Sequence, residues 1–313
     1  MRILAKRFMR LSFVRLTGLV AAIVVAASGT LAREADANMR RLFLEASSWT
    51  YQLQDTQQVN LSRTAYDIVV IDAFFGGGKK QVAELRQKPL GGRRIVLSYL
   101  SIGEAEVYRY YWEACCKGRR PPWVLSENAR WKGNYRVRFW NPQWKSIIYG
   151  AADSYLARII AAGFDGVYLD RIDVHSEVKT AGVNTRRQMI DFVRALSAKA
   201  TKPDFLVVAQ NAEELLDDDS YLAAIDGIAK EDLLYGVDGE GKRNDAEMVR
   251  DSTAYLKRAS EAGKQIMVVE YLKNSGVIAA ARTEIQELGF VPYFAPRELE
   301  RLQIENLEDE DSH

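Results

Sequence analysis

Residues 163–173 read GFDGVYLDRID, and this stretch decides the interpretation of the fold. Gly163 ends a segment of helical periodicity, and Val167, Tyr168 and Leu169 then form a short apolar run. Such a run between polar turns is typical of a parallel strand that helices cover on both faces. Asp170 follows it directly, so the sequence predicts a carboxylate at the carboxyl end of a buried strand.

Strand-like segments of this kind occur eight times along the chain. They cover residues 47–54, 66–75, 94–103, 165–172, 204–211, 226–235, 265–272 and 289–296. Helix candidates lie between them, one of which starts with Asn141 as its cap and Pro142 in its first turn. The alternation predicts an α/β fold, a single-domain (β/α)₈ TIM barrel over residues 47–300. A doubly wound open sheet is the alternative, but the glycine-rich stretch 74–80 lacks the residue order of a phosphate-binding loop.

An aromatic-rich insertion from Glu104 to Trp144 follows the third predicted strand. A loop of this length in a compact domain is typically a lid or a binding loop. Its aromatic residues occur irregularly among Arg, Lys, Asn and Pro, so we expect exposed platforms for a ligand in preference to core. They are Tyr108, Tyr110, Tyr111, Trp112, Trp123, Trp131, Tyr135, Phe139, Trp140 and Trp144.

The two ends of the chain differ from the rest in composition. Residues 1–32 combine a basic start, an apolar run and small residues, which predicts a bacterial signal peptide cleaved after Ala32 or Ala37. The apolar run is too short for a membrane-spanning anchor, so we expect a periplasmic or secreted protein without stable membrane association after cleavage. Residues 33–46 are expected to be a linker, and residues 301–313 an acidic disordered tail.

Composition excludes several classes of function. The 43 Lys and Arg residues balance 42 Asp and Glu and are scattered, so we expect no nucleic-acid partner. With two histidines and two cysteines in the chain, we expect neither a metal site nor another cofactor. Cys115 and Cys116 are adjacent and could pair only through a strained eight-membered ring, so we expect no disulfide framework. We take the protein to be a monomer.

The predicted carboxyl ends of the strands carry an unusual set of polar residues. In a (β/α)₈ barrel these ends form the active site. The set comprises Asp72, Tyr99, Ser101, Glu104, Asp170, Arg171, Asp173, Gln210, Asn211, Glu231, Asp232, Tyr235, Glu270 and Tyr271. It contains few cations. Carboxylates and amides bind sugar hydroxyls, and glycoside hydrolysis needs two carboxyl groups, one of them protonated. The set therefore indicates a carbohydrate-active site.

Structural roles are the alternative for several of these acids. Asp170 could pair with Arg171, and Glu231 with the neighbouring Lys230. Asp165, before a glycine, suits a turn. Glu104 suits a solvated loop face, and Glu213 and Glu214 suit the first turn of a helix.

Five motifs together resemble glycoside hydrolase family 114. They are SYLSIGEAEVYRYYW (98–112), PPWVLSENARWKGNYRVRFWNPQW (121–144), GFDGVYLDRID (163–173), VVAQNAEEL (207–215) and KEDLLYG (230–236). The likeness runs from Ser48 to Ala295, in the same order as in the family. It implies a TIM barrel, which agrees with the strand count.

The resemblance also implies a catalytic pair, Asp170 of the YLD motif and Glu231 of the KEDLLYG motif. Relatives often carry a second Glu or Asn before this acid, which leaves Asp232 as an alternative to Glu231. We hypothesise an endo-acting, retaining hydrolysis with Asp170 as nucleophile and Glu231 as general acid and base. The expected substrate-binding residues are Asp72, Tyr99, Glu104, Trp131, Trp140, Arg171, Asp173, Asn211, Tyr235 and Tyr271.

The family is associated with α-linked polysaccharides that contain galactosamine or N-acetylgalactosamine. The resemblance therefore implies a polysaccharide substrate of that class. Two alternatives stay open: a non-catalytic carbohydrate-binding protein on the same barrel, and a hydrolase of another α-galactoside.

Overall fold

The computed structural model describes residues 38–54, 61–76, 78–200, 202, 204–297 and 299. Eight parallel strands form a nearly closed barrel. They are β1 (Trp49–Tyr51), β2 (Ile68–Asp72), β3 (Ile95–Ser101), β7 (Gly166–Asp170), β8 (Leu206–Gln210), β9 (Gly227–Glu231), β12 (Gln265–Glu270) and β13 (Val291–Phe294). Each strand pairs with the next in this order. The predicted barrel is confirmed, and each of its strands lies within a segment predicted to be one. After β9, the short strands β10 (Tyr235–Gly236) and β11 (Gly239–Arg243) form a separate antiparallel pair.

Side chains of the two terminal strands close the barrel. The indole Nε1 of Trp49 donates a hydrogen bond to the carbonyl of Val291 at 3.0 Å. Thr50 Oγ1 donates to the hydroxyl oxygen of Tyr293, also at 3.0 Å. β1 and β13 therefore meet through buried polar contacts.

Helices surround the barrel between its strands. They are α1 (38–44), α2 (Gly78–Leu85), α3 (Trp112–Cys115), α4 (Pro142–Lys145), α5 (Tyr155–Ala162), α6 (Val174–Glu177), α7 (Thr185–Lys199), α8 (Asp219–Leu222), α9 (Ala246–Glu261) and α10 (Ser275–Glu287). As the sequence predicts, Asn141 caps α4 by accepting from Gln143 N, and Pro142 occupies the first turn. No helix in the described ranges is long and apolar enough to cross a membrane. The predicted signal peptide and acidic tail lie outside the described residues.

Two apolar cores result from the alternation of side chains along the strands. Ile68 and Val70 of β2 point into the barrel, whereas Val69 and Ile71 pack against the outer helices. All four side chains are buried. This explains why the strands read as continuous apolar runs.

The amino-terminal end of the barrel is closed by α1, which lies within the segment predicted to be a linker. Phe43 and Met39 of this helix are buried among the residues of the barrel interior. A Cβ atom on Gly227 would lie 2.9 Å from the Phe43 ring, so β9 needs glycine at this position. The opposite end, where the carboxyl termini of the strands meet, is left for a site.

The insertion folds into a subdomain with its own sheet. β4 (Glu104–Glu106), β5 (Val124–Glu127) and β6 (Asn134–Val137) form an antiparallel sheet in the order β4-β6-β5. The expectation of exposed aromatic residues is wrong for most of them, because the subdomain uses them as its own core. Tyr111, Trp112, Trp123, Tyr135, Phe139 and Trp144 are buried. Tyr108 and Trp131 are exposed, at 64% and 41%.

Cys115 and Cys116 are joined by a disulfide bond. The pair therefore forms the eight-membered ring that the sequence left as its one way to bond, and this disulfide links no distant segments. The bond lies at the end of α3, where Cys116 is buried against the core of the insertion.

Candidate active site

A cavity of about 830 Å³ opens at the carboxyl ends of the barrel strands. Side chains alternate between the two faces of each strand, so only those on the face that points into the barrel can reach the cavity. On β7, Tyr168 points into the barrel, so Asp170 two residues later points into the cavity. The same alternation carries Ala229 to Glu231 on β9. Both carboxylates therefore lie on the floor of the cavity, on strands separated by β8.

Asp170 is held by one backbone donor and one tyrosine. Its Oδ1 accepts from the N–H of Arg171 at 2.6 Å, and its Oδ2 accepts from the hydroxyl of Tyr99 at 2.7 Å. Burial holds the pKa of Tyr99 well above its usual value, so the hydroxyl keeps its proton and remains a donor. The orientation of the Asp170 carboxyl is thus fixed from both sides.

Glu231 is held by two side chains. Its Oε2 accepts from Asn211 Nδ2 at 2.8 Å, and its Oε1 accepts from the hydroxyl of Tyr271. The Asn211 Oδ1 in turn accepts from the Glu231 N–H at 3.0 Å. Both polar ends of the Asn211 amide are therefore used on Glu231, which makes Asn211 a positioning residue.

Proximity couples the protonation of the two carboxyls. Burial, followed by the negative charge of Glu231, raises the pKa of Asp170 to about 7. Arg171 opposes this shift. Since like charges in a poorly solvated site cannot both be held easily, Asp170 keeps its proton to a higher pH than a solvated aspartate does.

Ion pairing separates these two carboxyls from the other acids of the cavity. Eight carboxylates line it, and six form ion pairs with arginine. The six are Asp72, Glu104, Glu106, Asp173, Glu177 and Asp232. Among the described residues, Asp170 and Glu231 have no such partner and accept hydrogen bonds from neutral groups. Their carboxyls therefore differ from the other six in having, within these residues, no arginine that neutralises them.

Arg171 is the centre of the largest ion-pair network. Its guanidinium contacts Glu104 at 3.1 Å, Asp173 at 2.9 Å and Glu177 at 2.6 Å. Burial raises the pKa of Glu104, an effect that Arg171 opposes. The guanidinium of Arg171 forms ion pairs with these three acids and not with Asp170, so the alternative of an Asp170–Arg171 ion pair is wrong.

Backbone geometry at the ends of three neighbouring strands is unusual. Arg171, Asn211 and Asp232 each follow the last residue of β7, β8 or β9, with φ of 61°, 58° and 52°. Left-handed conformations of non-glycine residues are uncommon and cluster at functional sites. A residue in the left-handed conformation therefore follows directly after both Asp170 and Glu231.

The sequence model of the glycoside-hydrolase family GH114 matches residues 29–310. The chain belongs to this family. A curated relative, an uncharacterized protein of Thermotoga maritima, is 34% identical over 276 residues and covers 82% of this chain and 83% of its own. An uncharacterized protein of Methanocaldococcus jannaschii is 33% identical over 275 residues, 81% of this chain and 77% of its own.

Among solved structures, the glycoside hydrolase domain of PelA from Pseudomonas aeruginosa has a similar fold. The TM-score is 0.64 at 17% identity, and the match covers 82% of this chain and 97% of that domain. This supports the barrel architecture of the GH114 chain.

The cavity brings together ten of the twelve residues predicted for the GH114 site. They are Asp72, Tyr99, Glu104, Trp131, Asp170, Arg171, Asp173, Asn211, Glu231 and Tyr271. Trp140 and Tyr235 do not line it. Trp140 packs edge-on against Phe139, and the Tyr235 ring lies beneath the guanidinium of Arg243.

The alternatives for the remaining acids are also settled by contacts. Lys230 pairs with Glu213 at 3.3 Å and leaves Glu231 to Asn211 and Tyr271. Glu213 and Glu214 begin a 3₁₀ turn, Glu213–Asp217, as the sequence suggests. Asp165 is buried at the opposite end of β7, where it pairs with Arg86 and Arg93. Asp232 pairs with Arg297 at 2.8 Å.

Basic residues are the part of the site that the sequence reasoning missed. Seven of them line the cavity, although few cations were expected there. They are Arg109, Arg130, Lys132, Arg136, Arg171, Lys230 and Arg297. Of these, Arg171 was predicted. Four of the others belong to the insertion, where the motifs YRYYW and ARWKGNYR contain them. No group of three His, Cys, Asp or Glu side chains suited to a metal occurs in the part of the chain that the structure describes.

Proposed function

We propose that this GH114 chain is an exported, endo-acting hydrolase of α-linked polysaccharides that contain galactosamine or N-acetylgalactosamine. Family membership supports glycoside hydrolysis. The observation that carries the choice of residues is the ion-pair pattern: of the eight carboxylates in the cavity, Asp170 and Glu231 have no arginine partner within the described residues. The leader-like residues 1–32 support export to the periplasm or the medium.

The reaction proceeds with Asp170 as nucleophile and Glu231 as acid and base. Asp170 attacks the anomeric carbon while Glu231 gives its proton to the glycosidic oxygen, which leaves with the electrons of the broken C–O bond. Glu231 then takes a proton from a water molecule, whose oxygen displaces Asp170 from the sugar. The anomeric configuration is retained, and both carboxyls return to their starting state.

This division of roles requires that Glu231 carry a proton while Asp170 is ionised. The negative charge of Glu231 is the second cause, after burial, of the raised pKa of Asp170. When Glu231 is protonated, that charge is removed and Asp170 ionises more readily. With the proton on Glu231, Glu231 can act as the acid while the ionised Asp170 acts as the nucleophile.

Neutral sugars suit this cavity better than free ammonium groups. Asp72, Glu104 and Asp173 are the acids best placed to bind an ammonium, yet each is already paired with arginine. An ammonium group would have to displace an existing ion pair. N-acetylated or unsubstituted galactose units require only hydrogen bonds, so we propose these at the cleavage position.

The test is reducing-end release from α-1,4-linked galactosaminogalactan in its N-acetylated and de-N-acetylated forms. We expect the wild-type protein to cleave the acetylated form faster. Asp170→Asn and Glu231→Gln, run in parallel with circular dichroism to check folding, should each lose several orders of magnitude in rate. Retention of the polymer without any release would indicate a carbohydrate-binding protein. If reducing ends were released only from other α-galactosides, the protein would be a hydrolase of those compounds and not of galactosamine-containing polysaccharides.

A further inference from the structure

The turn between β5 and β6 projects three residues over one side of the cavity. Arg130, Trp131 and Lys132 are exposed, and all three line the cavity. We call them the RWK tip. Trp131 is 41% exposed at the edge of the cavity, so its ring is available as a stacking surface for a ligand.

The RWK tip is held in place by buried polar contacts at its base. Asn128 is buried, and its Oδ1 accepts from the N–H groups of Arg130 and Trp131 at 3.0 and 3.3 Å. Its Nδ2 donates to Glu104 Oε1 at 2.9 Å. Gly133, with φ of +89°, follows the tip, and a Cβ there would lie 2.9 Å from Val107. The turn is therefore preorganised, which lowers the entropic cost of binding.

Within the described residues, the two cations of the RWK tip form no ion pair, unlike the other cations of the cavity. Arg109, Arg136, Arg171, Lys230 and Arg297 all form ion pairs. In the described part of the chain, Arg130 and Lys132 form none. The carboxylate at the base of the turn, Glu127, uses its Oε1 to accept from the Gly133 N–H at 2.8 Å. After this hydrogen bond, the charge of Lys132 also contributes to lowering the pKa of Glu127, and one Glu against one Arg and one Lys leaves residues 127–132 with a net charge of +1.

We propose that the RWK tip binds an acidic sugar unit of the polysaccharide, a hexuronate whose carboxylate lies between Arg130 and Lys132. The sugar ring stacks on Trp131, and the two cations neutralise the carboxylate through charge-assisted hydrogen bonds. A neutral sugar would use the indole but leave both cations unused, and an ammonium sugar would be repelled by them. This inference rests on the proposed function, since it adds an acidic unit to the substrate of the same cavity.

The test measures binding in the Glu231→Gln background, so that turnover does not interfere. The probes are α-1,4-linked tetragalacturonate and the matching α-1,4-linked N-acetylgalactosamine tetramer, compared by isothermal titration calorimetry. We expect Arg130→Gln/Lys132→Gln to weaken tetragalacturonate binding about three- to tenfold, the range for two partly solvated ion pairs. Affinity for the acidic probe should also fall as salt is raised, and this dependence should flatten in the double variant.

A matched control removes the same charge elsewhere. Arg119 and Lys257 are exposed and do not line the cavity, so Arg119→Gln/Lys257→Gln should leave both affinities unchanged. If tetragalacturonate does not bind, or binds equally well to the tip variant and to its parent, the acidic-sugar assignment is overturned. Because binding is measured without hydrolysis, a failure of the proposed enzymatic function would show separately, as absence of reducing-end release by the wild-type protein.

Discussion

The Tyr271 hydroxyl donates a hydrogen bond to Oε1 of Glu231, from the strand next to the one that carries the acid. Burial holds the pKa of Tyr271 well above its usual value, and the charge of Glu231 adds to this effect. The tyrosine therefore stays protonated and acts as a fixed donor to the carboxyl that we propose as the catalytic acid and base.

Removing this donor should slow catalysis with little change in the fold. We expect Tyr271→Phe to lower kcat/KM by about 10- to 100-fold, since a hydrogen bond to a charged group contributes about 1.5–3 kcal/mol. Steady-state hydrolysis measures the change. Tyr293→Phe is the control, because Tyr293 is another buried barrel tyrosine whose hydroxyl bonds Thr50 instead. Equal losses in both variants would argue that Tyr271 acts only through stability.

Asn211 should affect turnover more than substrate affinity. Its φ of 58° suits glycine as well as asparagine, so Asn211→Gly removes the amide and preserves the backbone. We expect kcat to fall about 10- to 100-fold while KM changes less than about threefold, because the Nδ2 and the Oδ1 of the amide both contact Glu231. A variant that raised KM at unchanged kcat would show direct substrate binding.

The fold was largely predictable because its physical requirements are local. A strand that is buried on both faces must be a short apolar run. A helix must end where a glycine or a capping residue allows it. The eight strands could therefore be located from residue type and spacing alone. The carboxylates of Asp170 and Glu231 were located by the same logic, as the residues that follow these runs.

Features that depend on distant partners could not be predicted in this way. Asp72 and Arg109 are 37 positions apart, and nothing near Asp72 in the sequence indicates that it is neutralised. The aromatic residues of the insertion were misinterpreted because its strands are too short to show periodicity. Trp123 and Trp144, with ring centroids 5.4 Å apart, form a core that only the folded subdomain reveals.

The pH dependence of stability should change when Asp170 is replaced. Burial and the charge of Glu231 raise the pKa of Asp170 in the folded protein to about 7, from an ordinary value of 3.8. Between about pH 4 and pH 7 the folded protein therefore holds a proton that the unfolded chain releases, and stability from this residue is lost as the pH rises. Asn cannot ionise, so Asp170→Asn should gain stability relative to wild type across this window.

Thermal unfolding from pH 4 to pH 8 measures the effect. We expect the Tm difference between Asp170→Asn and wild type to grow by roughly 10 °C over the window and then level off, since each pKa unit corresponds to about 1.4 kcal/mol. In a Glu231→Gln background the growth should be smaller, because one cause of the raised pKa of Asp170 is absent. A Tm difference that is constant with pH would contradict the coupling between the two carboxyls.

Azide can separate the roles of the two carboxyls. In Asp170→Ala the space vacated by the nucleophile admits azide, which attacks the anomeric carbon directly. A single displacement inverts the configuration, so the product should be a β-glycosyl azide from an α-linked substrate that carries a good leaving group. In Glu231→Ala the covalent intermediate on Asp170 still forms with such a substrate, and azide then releases it in a second displacement. The product should be an α-glycosyl azide, since two inversions retain the configuration. Proton NMR of the anomeric signal distinguishes the two products, and the opposite pattern would exchange the roles, making Glu231 the nucleophile.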